Sequence, residues 1–142
     1  MPIRNASAVW EGTLKAGAGR LKTESGSFEG RYTAASRFEE EEGTNPEELI
    51  GAAHAGCFSQ AFSLSLEQAG FKPERIETSA RVHLDKVPDG FAITRVELTT
   101  KARVPNIPEA TFQSEAEKAK QTCPVSQALK AIDITLDAHL EQ

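Results

Sequence analysis

A chain of 142 residues, 39% hydrophobic and 26% charged, is long enough for one domain to bury a core without metal or disulfide support. A net charge of −5 and the lack of any Lys/Arg cluster argue against nucleic acid as a partner. The opening MPIRNASAVW lacks the basic and apolar regions of a secretory signal, so the expectation is a single cytoplasmic domain, residues 1–142, whose two cysteines stay reduced.

Residues 1–38 read as short strands broken by turns. SAVWEGTL alternates weakly, KAGAGR and TESGSFEG are turn-like, and RYTAASRF runs up to the acidic stretch EEEEG, read as a solvated loop. The next element is strongly signalled. Asn45 suits a helix N-cap, Pro46 the first helical position and Glu48 the carboxylate of a capping box, while Gly70 is a natural stop. The spacing predicts a helix of about 24 residues, roughly 36 Å long. Its run from Leu49 to Leu66 has no Asp, Glu, Lys or Arg, yet Gly51, His54, Gly56, Gln60 and three serines make it too polar for a membrane span. Apolar residues on nearly every side point to a helix buried all round or shared with a second chain.

Downstream, Ile76, Thr78, Ala80, Val82 and Leu84 share one face of a strand, VPDG turns the chain, and FAITRVELTTKARV returns it as a hairpin. PEATFQSEAEKAKQ reads as an amphipathic helix, and PVSQALKA as a short helix opening after Cys123. Alternation of Ile132, Ile134, Leu136, Ala138 and Leu140 predicts a last strand with one buried face. The class is α+β: antiparallel strands around a long buried central helix.

Chemistry centres on the two cysteines. Cys123, placed at a helix start by Pro124, sits where the helix dipole favours a thiolate. Caps prefer Ser, Thr, Asp or Asn, so a cysteine there is unusual. Cys57 lies in an apolar helix, where burial favours the inert thiol unless a cation reaches it; Arg20, Arg31, Arg37 and His54 are the candidates. His54 and Cys57 stand at i and i+3, and with Cys123 and His83 they supply enough ligands for a soft metal, although the spacing matches no compact zinc motif. No nucleophile elbow, phosphate loop or dinucleotide fingerprint is present.

RFEEEEGTNPEELIGAAHAGCFSQAFSLSL, LDKVPDGFAIT and AKQTCPVSQALKAIDITLDAHL resemble the OsmC subfamily of the OsmC/Ohr family, across nearly the whole chain. The resemblance implies a cysteine-based peroxidase for organic hydroperoxides that uses no cofactor or metal. It implies Cys57 as the peroxidatic thiol, Cys123 as the resolving thiol, Arg37 as the arginine on the thiolate and Glu47 as the carboxylate holding that arginine. It also implies an intertwined homodimer and an external dithiol reductant, such as a dihydrolipoyl-bearing protein. Local reasoning alone favours Cys123 as nucleophile, whereas the resemblance assigns that role to Cys57. Glu47 and Cys57 are ten residues apart, about 15 Å along one helix, so a long arginine, a bent helix start or a second chain must join them. The alternative is a non-enzymatic dimer that binds a hydrophobic ligand or senses redox state.

Overall fold

A computed structural model describes residues 1–141. Their contacts divide them into two compact units, Met1–Leu49 and a second that begins at Ile50. In the first unit, β1 (Ala6–Glu11), β2 (Ala18–Thr23) and β3 (Glu29–Tyr32) form an antiparallel sheet in that order. Half of KAGAGR is therefore strand rather than turn, with Trp10 opposite Gly19 and Glu11 opposite Ala18. The glycine answers to packing. Trp10 and Tyr32 meet edge to face with centroids 5.3 Å apart, and a Cβ on Gly19 would come within 2.6 Å of Tyr32 Cε1 and 2.8 Å of Trp10 Cε3.

The expectation of strands and turns up to residue 38 also misses a helix, α1 (Ala34–Phe38). Thr33 caps it, accepting from Ser36 N–H at 3.0 Å while Ser36 Oγ accepts from Thr33 N–H at 2.8 Å. A reciprocal pair of this kind satisfies two backbone donors that a helix start leaves unpaired.

Helix α2 (Pro46–Gln68) has 23 residues, close to the expected length. Asn45 caps it through a 2.7 Å bond from Glu48 N–H. The Glu48 carboxylate instead accepts from Thr44 Oγ1 at 2.8 Å, so the hydroxyl of the preceding loop takes the oxygen expected to return to the cap.

The second unit carries β4 (Arg75–Val87), β5 (Gly90–Arg103), α3 (Glu109–Thr122), α4 (Pro124–Ala128) and β6 (Asp133–Leu140). β4 and β5 form the expected hairpin, with a register shift between His83 and Leu84. β6 pairs with β5 in parallel, which the helical crossover through α3 and α4 allows. β5 is thus the central strand, and Val96, Leu98 and Ala102 on it are buried. They pack with Phe58, Phe62 and Leu66 of α2 and with Phe112, Ala116 and Ala119 of α3. Phe62 lies 5.5 Å from Phe58 and 5.3 Å from Phe112, centroid to centroid. Burial of each such ring contributes about 1.5–3 kcal/mol.

Within this chain α2 is not buried all round. His54, Phe58, Phe62, Ser65 and Leu66 follow helical spacing along a buried stripe, whereas Ala52, Ala53, Gly56 and Leu64 are exposed. No helix among the described residues is long and apolar enough to cross a membrane.

The two helical glycines predict opposite responses to alanine. A Cβ at Gly56 would meet nothing within 4 Å, so Gly56→Ala should raise stability by up to ~1 kcal/mol in urea unfolding. A Cβ at Gly51 would press to 3.3 Å of Val82 Cγ2, so Gly51→Ala should gain less. Equal gains at both positions would contradict this packing.

Candidate active site

The position of Cys123 follows from its neighbour. A residue before proline is pushed out of the helical region, so α3 ends at Thr122, Cys123 adopts φ −57° and ψ 130°, and Pro124 opens α4. Cys123 thereby terminates one helix and caps the next. Its N–H bonds to Ala119 O at 3.0 Å, and its sulfur accepts from Ser126 N–H at 3.5 Å. The kink aims Cys123 Sγ at α2, where it lies 3.0 Å from Cys57 Sγ. Both thiols are free; Cys123 is buried and Cys57 half-buried.

Around this pair the environment is uneven. Burial pushes the Cys57 thiol above its ordinary pKa, the hydrogen bond from Cys123 adds to that rise, and a backbone bond from Val125 opposes it. The neutral thiol is therefore favoured in this surrounding, and an activating cation must act against burial. Beside Cys57 opens a cavity of about 410 Å³ lined by Gln60, Ala61, Leu64, Lys118 and Pro124 among others. Lys118 is a cation that sequence reasoning passed over; its one signal is its place on the helix that ends against Cys123.

His54 does not sit at the Cys57 sulfur as a partner. Its Nε2 lies 2.8 Å from Ser126 Oγ, and Ser126 Oγ lies 3.6 Å from Cys123 Sγ. Burial lowers the His54 pKa, which keeps the ring neutral at neutral pH. Ser126 was another omission from the sequence reading, although its place three residues after a capping cysteine is where a cap partner belongs. His83 is held elsewhere, 2.5 Å from Glu97 Oε1 and 3.3 Å from Arg95 Nη2. Among the described residues no group of three or more His, Cys, Asp or Glu is placed to hold a metal.

In the first unit, Arg37 and Glu47 form a two-point ion pair, Nε to Oε1 at 3.0 Å and Nη2 to Oε2 at 2.9 Å. The carboxylate raises the arginine pKa, mainly through these hydrogen bonds, and the guanidinium also lies 5.3 Å over the Phe38 ring. The loop behind them is tied down. Ser36 Oγ donates to Thr44 O at 2.8 Å, Asn45 Nδ2 donates to Ser36 O at 3.0 Å, and Thr33 Oγ1 donates to Glu41 at 2.8 Å. Glu41, within the stretch read as a solvated loop, is thus part of the clamp. Of the other candidate cations, Arg20 pairs with Glu29 at 2.9 Å on exposed sheet, and Arg31 is exposed opposite Arg20 on the neighbouring strand.

The family model for OsmC-like protein matches residues 39–137. Over 139 residues the chain is 54% identical to peroxiredoxin OsmC of Escherichia coli, covering 97% of this chain and 96% of that protein. It is 38% identical over 97 residues to the organic hydroperoxide resistance protein of Xanthomonas axonopodis pv. citri, covering 67% and 66%. Among solved structures, the OsmC-like protein of Mycoplasma pneumoniae matches with a TM-score of 0.78 at 16% identity, covering 99% of each chain. The organic hydroperoxide resistance protein OsmC of Legionella pneumophila matches with a TM-score of 0.75 at 22% identity, covering 98% and 99%. These two structures share the fold.

A buried neutral histidine carries a pH signature. Below its ordinary pKa of about 6.5 the unfolded chain takes a proton that folded His54 resists, so the folded state loses stability as pH falls. Urea unfolding at pH 7.5 and 5.5 should show a larger acid loss for wild type than for His54→Gln. Equal losses would mean that His54 titrates normally in the fold.

Proposed function

The chain belongs to the OsmC-like protein family, and we infer that it is a thiol-dependent peroxidase that reduces organic hydroperoxides to alcohols. The observation that carries this reading is the pair of free thiols 3.0 Å apart, one of them opening on a largely apolar cavity. In the proposed cycle the Cys57 thiolate attacks the outer peroxide oxygen. The O–O bond breaks, an alkoxide leaves and takes a proton, and Cys57 becomes a sulfenic acid. The Cys123 sulfur then attacks the Cys57 sulfur, a disulfide forms, and hydroxide leaves as water. A dithiol returns both cysteines to thiols by exchange, with a dihydrolipoyl-bearing protein as the proposed donor.

Arg37 is assigned to stabilise the thiolate and the charge developing on the peroxide oxygens, and Glu47 to fix its orientation. A two-point pair restrains the guanidinium fork in a way a single contact cannot, which supports these assignments. Burial favours the Cys57 thiol over the thiolate, so the cation is a requirement of the mechanism. A homodimer belongs to the same proposal. The exposed Ala52, Ala53 and Leu64 give α2 an apolar face suited to packing by a second copy. The chain is read as one domain acting in the reducing cytoplasm, where a dithiol donor is at hand.

Turnover tests this function. With excess cumene hydroperoxide and dihydrolipoamide, wild type should consume many equivalents and Cys57→Ser none. Arg37→Met should lose roughly a hundredfold in kcat/KM, the scale of losing a preorganised charge donor. Wild type that consumes a single equivalent and stops would replace the peroxidase with a redox sensor or ligand-binding dimer.

A further inference from the structure

The cycle above leaves one buried polar group without a task. His54 is fully buried on α2, one turn before Cys57, and it faces Ser126 rather than either sulfur. Ser126 is itself buried and spans the gap from the imidazole to Cys123 Sγ. Its hydroxyl is not needed to build α4. The Ser126 N–H already caps onto the cysteine sulfur, and Gln127 N–H closes the turn onto Cys123 O at 3.0 Å.

Proton positions follow from the partners. Among the described residues no hydrogen-bond partner reaches His54 Nδ1, which is buried. A proton there would be an orphaned donor, a rarer defect in folded proteins than an unpaired acceptor. The proton therefore sits on Nε2, which donates to Ser126 Oγ. That leaves the single hydroxyl proton of Ser126 free to point at Cys123 Sγ. The chain of donation runs one way, from His54 Nε2–H through Ser126 Oγ–H to the sulfur.

We propose that Ser126 is a catalytic residue of the resolving step and His54 the residue that positions it: the hydroxyl and amide N–H of Ser126 carry the negative charge on Cys123 Sγ while that sulfur attacks oxidised Cys57. The proposal rests on the assignment of Cys57 as the attacking thiol and Cys123 as the resolving one. In the step itself, the S–H proton of Cys123 passes to the departing hydroxide. The Cys57 S–O bond breaks, the S–S bond forms, and water leaves. The Cys123 sulfur is oxidised from thiol to disulfide, and the Cys57 sulfur is reduced from sulfenic acid to disulfide. The oxygen leaves as water, unchanged in oxidation level, and the two donors of Ser126 return to a neutral disulfide sulfur. His54 neither gains nor loses a proton; its role is to hold the serine rotor so that its proton is spent on the sulfur.

The test separates two half-reactions in the full-length protein. Reduced protein is mixed rapidly with one equivalent of cumene hydroperoxide and acid-quenched, and intact mass follows disulfide formation while dimedone traps sulfenic acid. Wild type should form disulfide with little trapped sulfenic acid. In Ser126→Ala the ratio of disulfide formation to peroxide consumption should fall about tenfold or more, the scale of one hydrogen bond to a charged atom, with sulfenic acid accumulating. Ser126→Thr, which keeps the hydroxyl, should restore the ratio, and His54→Leu should lower it in the same direction. An unchanged ratio in Ser126→Ala, or equal slowing of both half-reactions with no rescue by threonine, would overturn the proposal. Wild type that consumes peroxide without forming any disulfide would instead overturn the two-cysteine reading beneath it.

Discussion

Holding two sulfur atoms 3.0 Å apart when their residues are 66 positions apart in the chain is the constraint on which the second unit depends. Cys57 is fixed because the next residue, Phe58, belongs to the buried stripe that runs from His54 through Phe62 to Leu66. Cys123 is fixed because Phe112, Ala116 and Ala119 lock α3 into the same core and Pro124 then forces the chain to kink. The core is therefore the positioning device for the thiols. Large-to-small changes at Phe62 or Phe112 would act on the sulfur separation as well as on stability.

The same burial that positions Cys57 works against its reactivity. Its thiol is pushed up, with desolvation the largest cause. A peroxidase built on such a site has to supply positive charge, and it has to do so without flooding the cavity with water. In the first unit an arginine is clamped at two points by a nearly buried carboxylate, which holds the guanidinium in one orientation. The Ser36–Thr44–Asn45 clamp ties down the loop behind that pair, and in the second unit the Pro124 kink sets the place of the Cys123 sulfur. Around Cys123 the donors are neutral: the Ser126 hydroxyl and N–H face the sulfur, and a neutral imidazole lies against that hydroxyl, so dipoles are supplied without a fixed charge.

Legibility in the sequence tracked how local the cause was. Asn45, Pro46 and Gly70 announced α2 because capping is decided within a few residues, and the PDG turn with flanking alternation announced the hairpin for the same reason. α1 was invisible to periodicity because five residues make little more than one turn, and its Thr33–Ser36 cap resembles strand composition. Gly19 looked like turn chemistry because its real cause, the approach of Trp10 and Tyr32, comes from two other strands. Glu48 had a local partner in Asn45 and took Thr44 instead. Of the site, the unusual cap at Cys123 was readable directly; Arg37 was one of four candidate cations on residue chemistry, and only family resemblance singled it out and added Glu47. The His54–Ser126 contact spans 72 positions, so nothing in the local pattern could join them.

Intact mass under non-reducing conditions, after one equivalent of cumene hydroperoxide, tests the central claim most directly. Wild type should lose two hydrogens as the disulfide closes, Cys123→Ser should gain one oxygen at Cys57, and Cys57→Ser should remain unchanged. Oxidation of Cys57→Ser with Cys123→Ser left inert would contradict the account, because the nucleophile would then be the thiol at the helix junction.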